Sequence, residues 1–318
     1  MADPFILSLD EGCVPSLVGG KAASLTKLLA AGVPVPKGLC VTTAVYQCGL
    51  DQAGVEAAAL WARLFRLSEA QRAQELARIQ RLLLEQPWPA GFPADLETRL
   101  TGLAGDSSTR WAVRSSATNE DAADMSAAGL YRTTLGVPPT AVLQSIRDCW
   151  ISLWDERVFQ YLRRSGADQP CPAMAVIIQL MLSAQAAGVA YSIHPVTGRT
   201  SQVSIDAVPG LASSLVNGEV TPDQYMVEVY DDDHRPFRVR RRILARKRKK
   251  LTATPGGVQE ESISEPEQQR SCLTDSQLFE LVRMSKHIEV AFRQPVDLEW
   301  VWDVERLWIV QARPITAV

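Results

Sequence analysis

The sequence is poor in histidine and has no long apolar run. Its 318 residues include only three histidines, so a metal site built from several histidines is not expected. No apolar run approaches the roughly 20 residues that a membrane-spanning helix needs. The N-terminal segment carries Asp3 and no basic region, unlike a signal peptide. We therefore predict no contact with a membrane.

The six cysteines are scattered and form neither a C-x-x-C pair nor a cysteine–histidine cluster with zinc spacing. Reduced thiols and a cytoplasmic location are the simplest interpretation. The formal net charge of −3 argues against nucleic acid as a partner. With 46% hydrophobic residues the chain is too apolar to be disordered, and its length suits two domains.

The spacing of apolar residues predicts an α/β (α+β) protein. Residues 50–104 are rich in Ala, Leu, Glu and Arg, which predicts two or more amphipathic helices, interrupted by prolines between residues 87 and 93. Short apolar runs predict strands, and one pair of runs predicts a hairpin. These strands are expected at 111–114, at 175–181 with 188–193 as its hairpin partner, and at 296–302 and 306–311.

A glycine turn leads into a helix at Val18-Gly19-Gly20-Lys21. The backbone N–H groups and the helix dipole at such a turn favour a phosphate group, and the lysine ammonium adds a full charge. The segment is not a Walker A loop, because the pattern G-x-x-x-x-G-K-[ST] is not matched here. The alternative is a glycine turn that carries a solvated lysine.

A second polar motif runs from Val113 to Asp121. A strand brings Arg114 into a group of hydroxyl and carboxylate side chains. The guanidinium of this arginine can bind two phosphate oxygens at once. The alternative is a polar loop in which Arg114 pairs with Glu120 or Asp121.

The two final strands carry the third motif. Strand alternation places Asp297 and Glu299 on one face of the first strand, while Gln311 and Arg313 share a face of the second. Carboxylate and amide oxygens beside a guanidinium suit Mg²⁺ bound with a polyphosphate, because Mg²⁺ takes few protein ligands and fills its shell with phosphates and water. The alternative is a cross-strand ion pair at the surface.

Together and in this order, the motifs resemble the N-terminal ATP-binding region of the phosphoenolpyruvate synthase, pyruvate phosphate dikinase and rifampin phosphotransferase family. The resemblance covers nearly the whole chain, from about residue 15 to residue 316. The stretches that carry it are Gly19-Gly20-Lys21, Arg114-Ser115-Ser116-Ala117-Thr118, Pro195-Val196-Thr197-Gly198, Gly218-Glu219-Val220-Thr221-Pro222-Asp223, Asp297-Leu298-Glu299-Trp300 and Gln311-Ala312-Arg313-Pro314.

The resemblance implies a two-lobed ATP-grasp fold. The N-terminal lobe would span residues 1–185 and contain the helical segment around 50–104. The C-terminal lobe would span residues 186–318 and carry the metal-binding hairpin.

The resemblance also implies a ligand set, ATP with Mg²⁺. Glu299 and Gln311 would bind the metal ion, and Lys21, Arg114 and Arg313 would act on the phosphates as catalytic residues. The full set of nucleotide-binding residues that it implies is Lys21, Arg114, Gly129, Thr133, Gln179, Glu299, Gln311 and Arg313.

The family reaction that the resemblance implies is of the dikinase type. ATP is cleaved to AMP and phosphate, and the β-phosphoryl group passes to a histidine on a mobile domain. None of the three histidines of this sequence fits that role, so we expect the phosphohistidine on another domain or on a partner protein. Split systems that resemble phenylphosphate synthase favour a partner that binds a small hydroxyl acceptor, such as a phenol or alkylphenol.

Three other interpretations stay open. The chain can be the ATP-binding fragment of a full-length phosphoenolpyruvate synthase or rifampin phosphotransferase. It can be a regulatory module that binds nucleotide without catalysis. It can also be an ATP-grasp ligase that forms ADP, because a fold does not fix a function.

One further feature is a stretch rich in arginine and lysine. Residues 235–250 hold ten of the 33 basic residues and follow an aspartate triplet at 231–233. A solvated hairpin is the simplest interpretation, and a docking surface for an acidic partner or nucleic acid is the alternative.

Overall fold

The computed structural model describes most of the chain in two compact units. The first unit comprises Met1–Thr26 and Lys37–Met181, and the second comprises Lys27–Pro36 and Leu182–Val318. Each unit contains one large antiparallel sheet. The described residues are 3–12, 14–106, 108–120, 130–164, 171–216, 218–230, 236–254 and 256–315.

The described part of the chain contains both helices and strands. The strands are β1 (Ile6–Ser8), β2 (Gly38–Val41), β3 (Trp111–Ala117), β4 (Thr133–Val137), β5 (Met174–Leu180), β6 (Ala186–Tyr191), β7 (Gln202–Pro209), β8 (Asp223–Val229), β9 (Phe237–Ile243), β10 (Lys249–Thr254), β11 (Gly257–Ser262), β12 (Val296–Trp302) and β13 (Leu307–Pro314). The α-helices are α1 (Pro15–Ala30), α2 (Thr43–Gln52), α3 (Ala57–Leu64), α4 (Glu69–Glu85), α5 (Phe92–Leu103), α6 (Val142–Ser152), α7 (Glu156–Arg164), α8 (Ser213–Val216) and α9 (Asp275–Phe292).

The first unit is built on a five-stranded sheet in the order β1-β2-β5-β3-β4. Side chains alternate between its two faces. Val113 and Ile178 are opposite each other on β3 and β5, are fully buried, and belong to a core that helices α2 to α7 complete. Arg114 and Gln179, one position further along their strands, therefore lie on the other face.

The second unit is built on a six-stranded sheet in the order β13-β12-β6-β7-β8-β9. One face is apolar, with Leu298 and Ile205 fully buried, and helix α9 packs on β6, β12 and β13. A capping box of Thr274 and Gln277 satisfies the first N–H groups of α9, so the helix begins at Asp275. The alternating polar positions of the sheet lie on the opposite face.

These elements confirm the predicted α/β (α+β) class. Helices α3, α4 and α5 account for the helical segment, and β12 and β13 form the predicted final pair. The two-lobed ATP-grasp assignment stays a prediction, as do its lobes at 1–185 and 186–318. The two units divide between Met181 and Leu182, and residues 27–36 group with the second unit.

The predicted hairpin of 175–181 with 188–193 is wrong. Strand β5 pairs with β2 and β3, whereas β6 pairs with β7 and β12. The link between them is held at both ends by distant backbone groups: the Met181 N–H donates to the Arg110 carbonyl, and the Gln185 N–H donates to the Trp302 carbonyl. Proximity in the sequence is therefore a poor guide to strand pairing in this region.

The basic stretch forms β9, the loop after it and the start of β10. Most of its charges are paired within the chain: Lys247 is buried against Asp223 at 2.5 Å, and Lys250 lies 3.2 Å from Glu261. Further ion pairs join Arg240 to Glu228, Arg242 to Asp275, Arg246 to Glu265 and Lys249 to Glu260. This pairing favours the interpretation as a solvated hairpin. The aspartate triplet lies outside the described residues.

Two absences apply to the described part of the chain. No helix there is both long and apolar enough to cross a membrane. The five cysteines that the structure describes are free thiols. Burial raises the pKa of the Cys149 thiol to about 12, so this thiol stays protonated at neutral pH.

Gly188 gives the first prediction. It lies in β6 between two neighbouring strands, and a Cβ at this position would come 1.9 Å from the Asp206 carbonyl oxygen. We expect Gly188→Ala to lower the free energy of unfolding by about 1–3 kcal/mol, as overpacking does. Thermal unfolding checks this, and a stability equal to that of the wild type would contradict it.

The matched control is Gly102→Ala in helix α5, where a Cβ meets nothing within 4 Å. Because alanine favours a helix interior over glycine by roughly 0.5–1 kcal/mol, this variant should gain stability.

Candidate functional site

The start of helix α1 is fastened to strand β3 through Ser116. The Ser116 hydroxyl donates to the Val18 carbonyl at 2.7 Å and accepts from the Ala22 N–H at 3.1 Å. Gly19 breaks the helical path with φ 73° and approaches so closely that a Cβ would lie 2.0 Å from the Ser116 carbonyl oxygen. The glycine turn is therefore a kink within α1, and only glycine fits it.

Lys21 follows this kink and is not a solvated lysine. Its ammonium contacts the Glu120 carboxylate and donates to the Ser115 carbonyl at 3.2 Å. Its side chain is 16% exposed and that of Glu120 only 3%. The end of β3 and the turn that follows it therefore supply both acceptors for this ammonium.

Arg114, Thr133 and Gln179 lie on the face of the first sheet opposite the helical core, and Arg114 and Gln179 are buried there, at 8% and 2% exposed. Arg114 is opposite Thr133 across β3 and β4, and Gln179 is opposite Ala112 across β5 and β3. Arg114 lies inside β3, which continues to Ala117, and not at a strand end as the sequence suggested. The predicted Gly129 lies outside the described residues.

The second unit brings together the predicted residues of the C-terminal hairpin. Glu299 is opposite Gln311, and Asp297 is opposite Arg313, with 3.0 Å between the Asp297 Oδ2 and Arg313 Nη2 atoms. This ion pair is only about one-fifth exposed, at 19% and 22%. A β-bulge at Val310 shifts the register directly after the Glu299–Gln311 pair.

Burial and neighbouring carboxylates shift the pKa values of the side chains on this face. Burial raises the pKa of Asp297, the Glu299 charge raises it further, and Arg313 opposes both. Burial, followed by the charges of Asp297 and Asp206, raises the pKa of Tyr191 on the neighbouring strand. Asp206 therefore extends the acidic character of this face from β12 across to β7.

The oxygen atoms of Asp297, Glu299 and Gln311 suit a metal ion bound together with a nucleotide. In the second unit the Asp297 Oδ1 atom is buried and lacks a hydrogen-bond partner among the described residues. Glu299 and Gln311 offer the hard oxygen ligands that Mg²⁺ prefers. Across the described ranges, no group of three or more acidic, histidine or cysteine side chains is arranged to hold a metal ion. A site with two protein oxygens fits Mg²⁺ bound together with phosphates.

Comparison with known proteins agrees with this chemistry. A family model for the pyruvate phosphate dikinase AMP/ATP-binding domain matches residues 15–318. The chain belongs to this family. The name of the family gives adenine nucleotides as its ligands.

Several curated relatives share the match. A rifampicin phosphotransferase of Streptomyces sviceus is 38% identical over 316 residues, which are 98% of this chain and 35% of that protein. A prodigiosin synthesizing transferase PigC of Serratia marcescens is 34% identical over 98% of this chain and 33% of its own length. A phosphoenolpyruvate synthase of Aeropyrum pernix is 32% identical over 98% and 42%. The chain thus spans about a third to two fifths of the length of these relatives.

Sequence reasoning missed two residues of these faces. The sequence offers Glu120 only as a partner of Arg114, whereas in the structure its carboxylate contacts Lys21. Asp206 belongs to no predicted motif, although β7 alternates Gln202, Ser204 and Asp206 with buried apolar residues. That alternation could have identified Asp206, whereas no local pattern links Glu120 to a lysine 99 residues away.

Asp206 gives the second prediction. Burial raises the pKa of its carboxyl group in the folded state, so ionisation costs stability as the pH rises above the ordinary value of 3.8. We expect Asp206→Asn to unfold at a higher temperature than the wild type at pH 7. The difference should shrink towards pH 3.5, because the Asp206 carboxyl group is then largely protonated in both the folded and the unfolded chain.

Thermal unfolding from pH 3.5 to pH 7 measures this difference. A variant less stable than the wild type at pH 7 would show that the Asp206 charge is favourable in the folded protein. Gln224→Ala is the companion variant, because the Gln224 side chain lowers the pKa of Asp206 through a hydrogen bond.

Proposed function

We propose that this chain is the ATP-binding part of a dikinase-type phosphotransferase. The β-phosphoryl group of Mg-ATP passes to a histidine on a further domain or on a partner protein, the γ-phosphoryl group passes to water and leaves as inorganic phosphate, and AMP remains. The observation that carries the proposal is the sorting of residues within each sheet. In a chain of an AMP/ATP-binding family, Arg114, Thr133 and Gln179 share one face of the first sheet. Glu299, Gln311 and Arg313 share one face of the second.

Each unit contributes its own chemistry to the proposed reaction. In the first unit Lys21 and Arg114 neutralise phosphate charge, while Thr133 and Gln179 contact the nucleotide, as does the predicted Gly129. In the second unit Glu299 and Gln311 hold Mg²⁺, and Arg313 binds phosphate oxygens while Asp297 orients it at 3.0 Å.

Catalysis in this scheme is positioning and charge neutralisation. When bound, Mg²⁺ supplies a charge that offsets the phosphate oxygens during transfer. Arg313 offers guanidinium donors from a partly buried position, where a charge acts more strongly than in water. The protein's own side chains orient the phosphates and perform no covalent chemistry.

The acceptor lies outside this chain in the proposal. The relatives are named for rifampicin, prodigiosin and phosphoenolpyruvate, yet all share this region. The part common to them is therefore a poor place to select the acceptor. We propose that a further domain or a partner protein carries the phosphohistidine and binds a small hydroxyl compound, with a phenol or alkylphenol favoured, in the cytoplasm.

The test of this function is the product formed from ATP. Phosphorus NMR of Mg-ATP incubated with the chain and the protein that it captures from a lysate of its own cells should show AMP and inorganic phosphate in equal amounts. ADP as the sole nucleotide product would instead indicate a kinase or a ligase. Tight ATP binding without any AMP would indicate a regulatory module.

Glu299 gives the third prediction. Glu299→Ala removes the one carboxylate of the proposed Mg²⁺ pair, so AMP formation should fall roughly 100-fold or more. The measurement is the initial rate of AMP formation, with the unfolding temperature recorded alongside. Unchanged turnover in this variant would overturn the proposed metal site.

The matched control is Glu305→Ala, which removes an exposed carboxylate from the turn of the same hairpin. The Glu305 backbone N–H, and not its carboxylate, makes the hydrogen bond to Asp303 that shapes the turn. This variant should keep wild-type turnover.

A further inference from the structure

Glu120 is a buried carboxylate with both oxygens engaged. It lies in the turn after β3, and its side chain is 3% exposed. The Oε2 atom accepts the Ala117 N–H at 3.2 Å, and the Glu120 N–H donates to the Ala117 carbonyl at 3.3 Å. The Oε1 atom contacts the Lys21 ammonium. The turn therefore fixes the carboxylate, and the carboxylate fixes the lysine.

The Lys21 ammonium has three N–H donors. The Glu120 carboxylate and the Ser115 carbonyl, at 3.2 Å, accept from this group. Both acceptors belong to the end of β3 and its turn, and the Ser116 hydroxyl fastens the start of α1 to that same strand. With 16% of its side chain exposed, Lys21 is still within reach of a ligand.

We infer that Glu120 is a positioning residue that acts through Lys21. It holds the ammonium in one orientation, so that the donor left over from its two contacts among the described residues is presented to a phosphate oxygen. The inference rests on the proposed function, in which Lys21 binds the ATP phosphates. Glu120 itself makes no contact with the nucleotide in this scheme.

Because Glu120 is negatively charged, a positioning role can be distinguished from a role in binding ATP. A carboxylate beside Lys21 reduces the positive charge available to an anion, so it does not tighten the ground-state binding of ATP. Its contribution is geometric, and misplacing a group by about 1 Å can cost roughly 100-fold in rate. The role therefore predicts an effect on kcat without a matching effect on the Kd for ATP.

The test compares three variants of the full chain, each assayed with the protein that the chain captures from the lysate. Glu120→Gln should lower kcat for AMP formation roughly 10- to 100-fold, while the Kd for ATP stays within about threefold or becomes tighter. Lys21→Met should lower turnover at least as much. In the Lys21→Met background, Glu120→Gln should cause no further loss, because the residue through which it acts is gone.

A control separates this effect from the loss of another ion pair in the same unit. The Glu156 side chain, 36% exposed, pairs at 2.8 Å with Arg72, which is 5% exposed. Glu156→Gln should lower the unfolding temperature and leave turnover unchanged. A fall in turnover like that of Glu120→Gln would point to a general loss of stability and overturn the inference.

A second readout does not depend on turnover. In protein labelled with ¹⁵N at the lysine ammonium groups, Lys21 should give a protected Nζ signal that Lys21→Met identifies. Glu120→Gln should shift or broaden this signal, and addition of ATP should move it again in the wild type. An Nζ signal unaffected by Glu120→Gln, or additive losses in the double variant, would overturn the inference. Intact Nζ behaviour without AMP formation would instead count against the proposed reaction alone.

Discussion

The two-residue repeat of a β-strand decides which side chains of the two large sheets enter the core and which lie together on the other face. In β7 the apolar side chains of Val203, Ile205 and Ala207 occupy every second position and are buried. The intervening positions must then lie on the other face. Polar side chains are stable there, because they keep partners or solvent that the core cannot offer. The alternation of side chains along a strand thus places apolar residues in the core and candidate ligands on the opposite face.

The two units share a second feature, a carboxylate that pairs with a cation. In the first unit a carboxylate, Glu120, holds Lys21, and in the second unit a carboxylate, Asp297, holds Arg313. In each case a cation proposed to bind phosphate is oriented by an acid on a neighbouring structural element. An unpaired, partly buried cation would be free to adopt several rotamers, whereas a paired one is fixed before its ligand arrives. In both units the acid therefore fixes the orientation of the cation.

Much of this arrangement follows from local sequence, and the rest does not. The alternation of Asp297, Leu298, Glu299 and Trp300 specified both the hairpin and its polar face, because period two is a local property. The pairing of β5 and β6 with other strands depends on backbone contacts far along the chain, which no local pattern records. The same holds for the Glu120–Lys21 contact. The bulge at Val310 is a register effect and is set by both strands together.

The fastening of α1 to β3 has a consequence for synthesis on the ribosome. Val18 and Ser116 are 98 residues apart, and the helices from α2 to α5 lie between them in the sequence. The kink at Gly19 thus lacks its partner until the chain beyond Ser116 has emerged. Contacts of such long separation are slow to form, because the loop between them must first be closed. The nascent chain therefore passes through a stage in which its helices are available to fold while the lysine end of α1 has no strand to dock on.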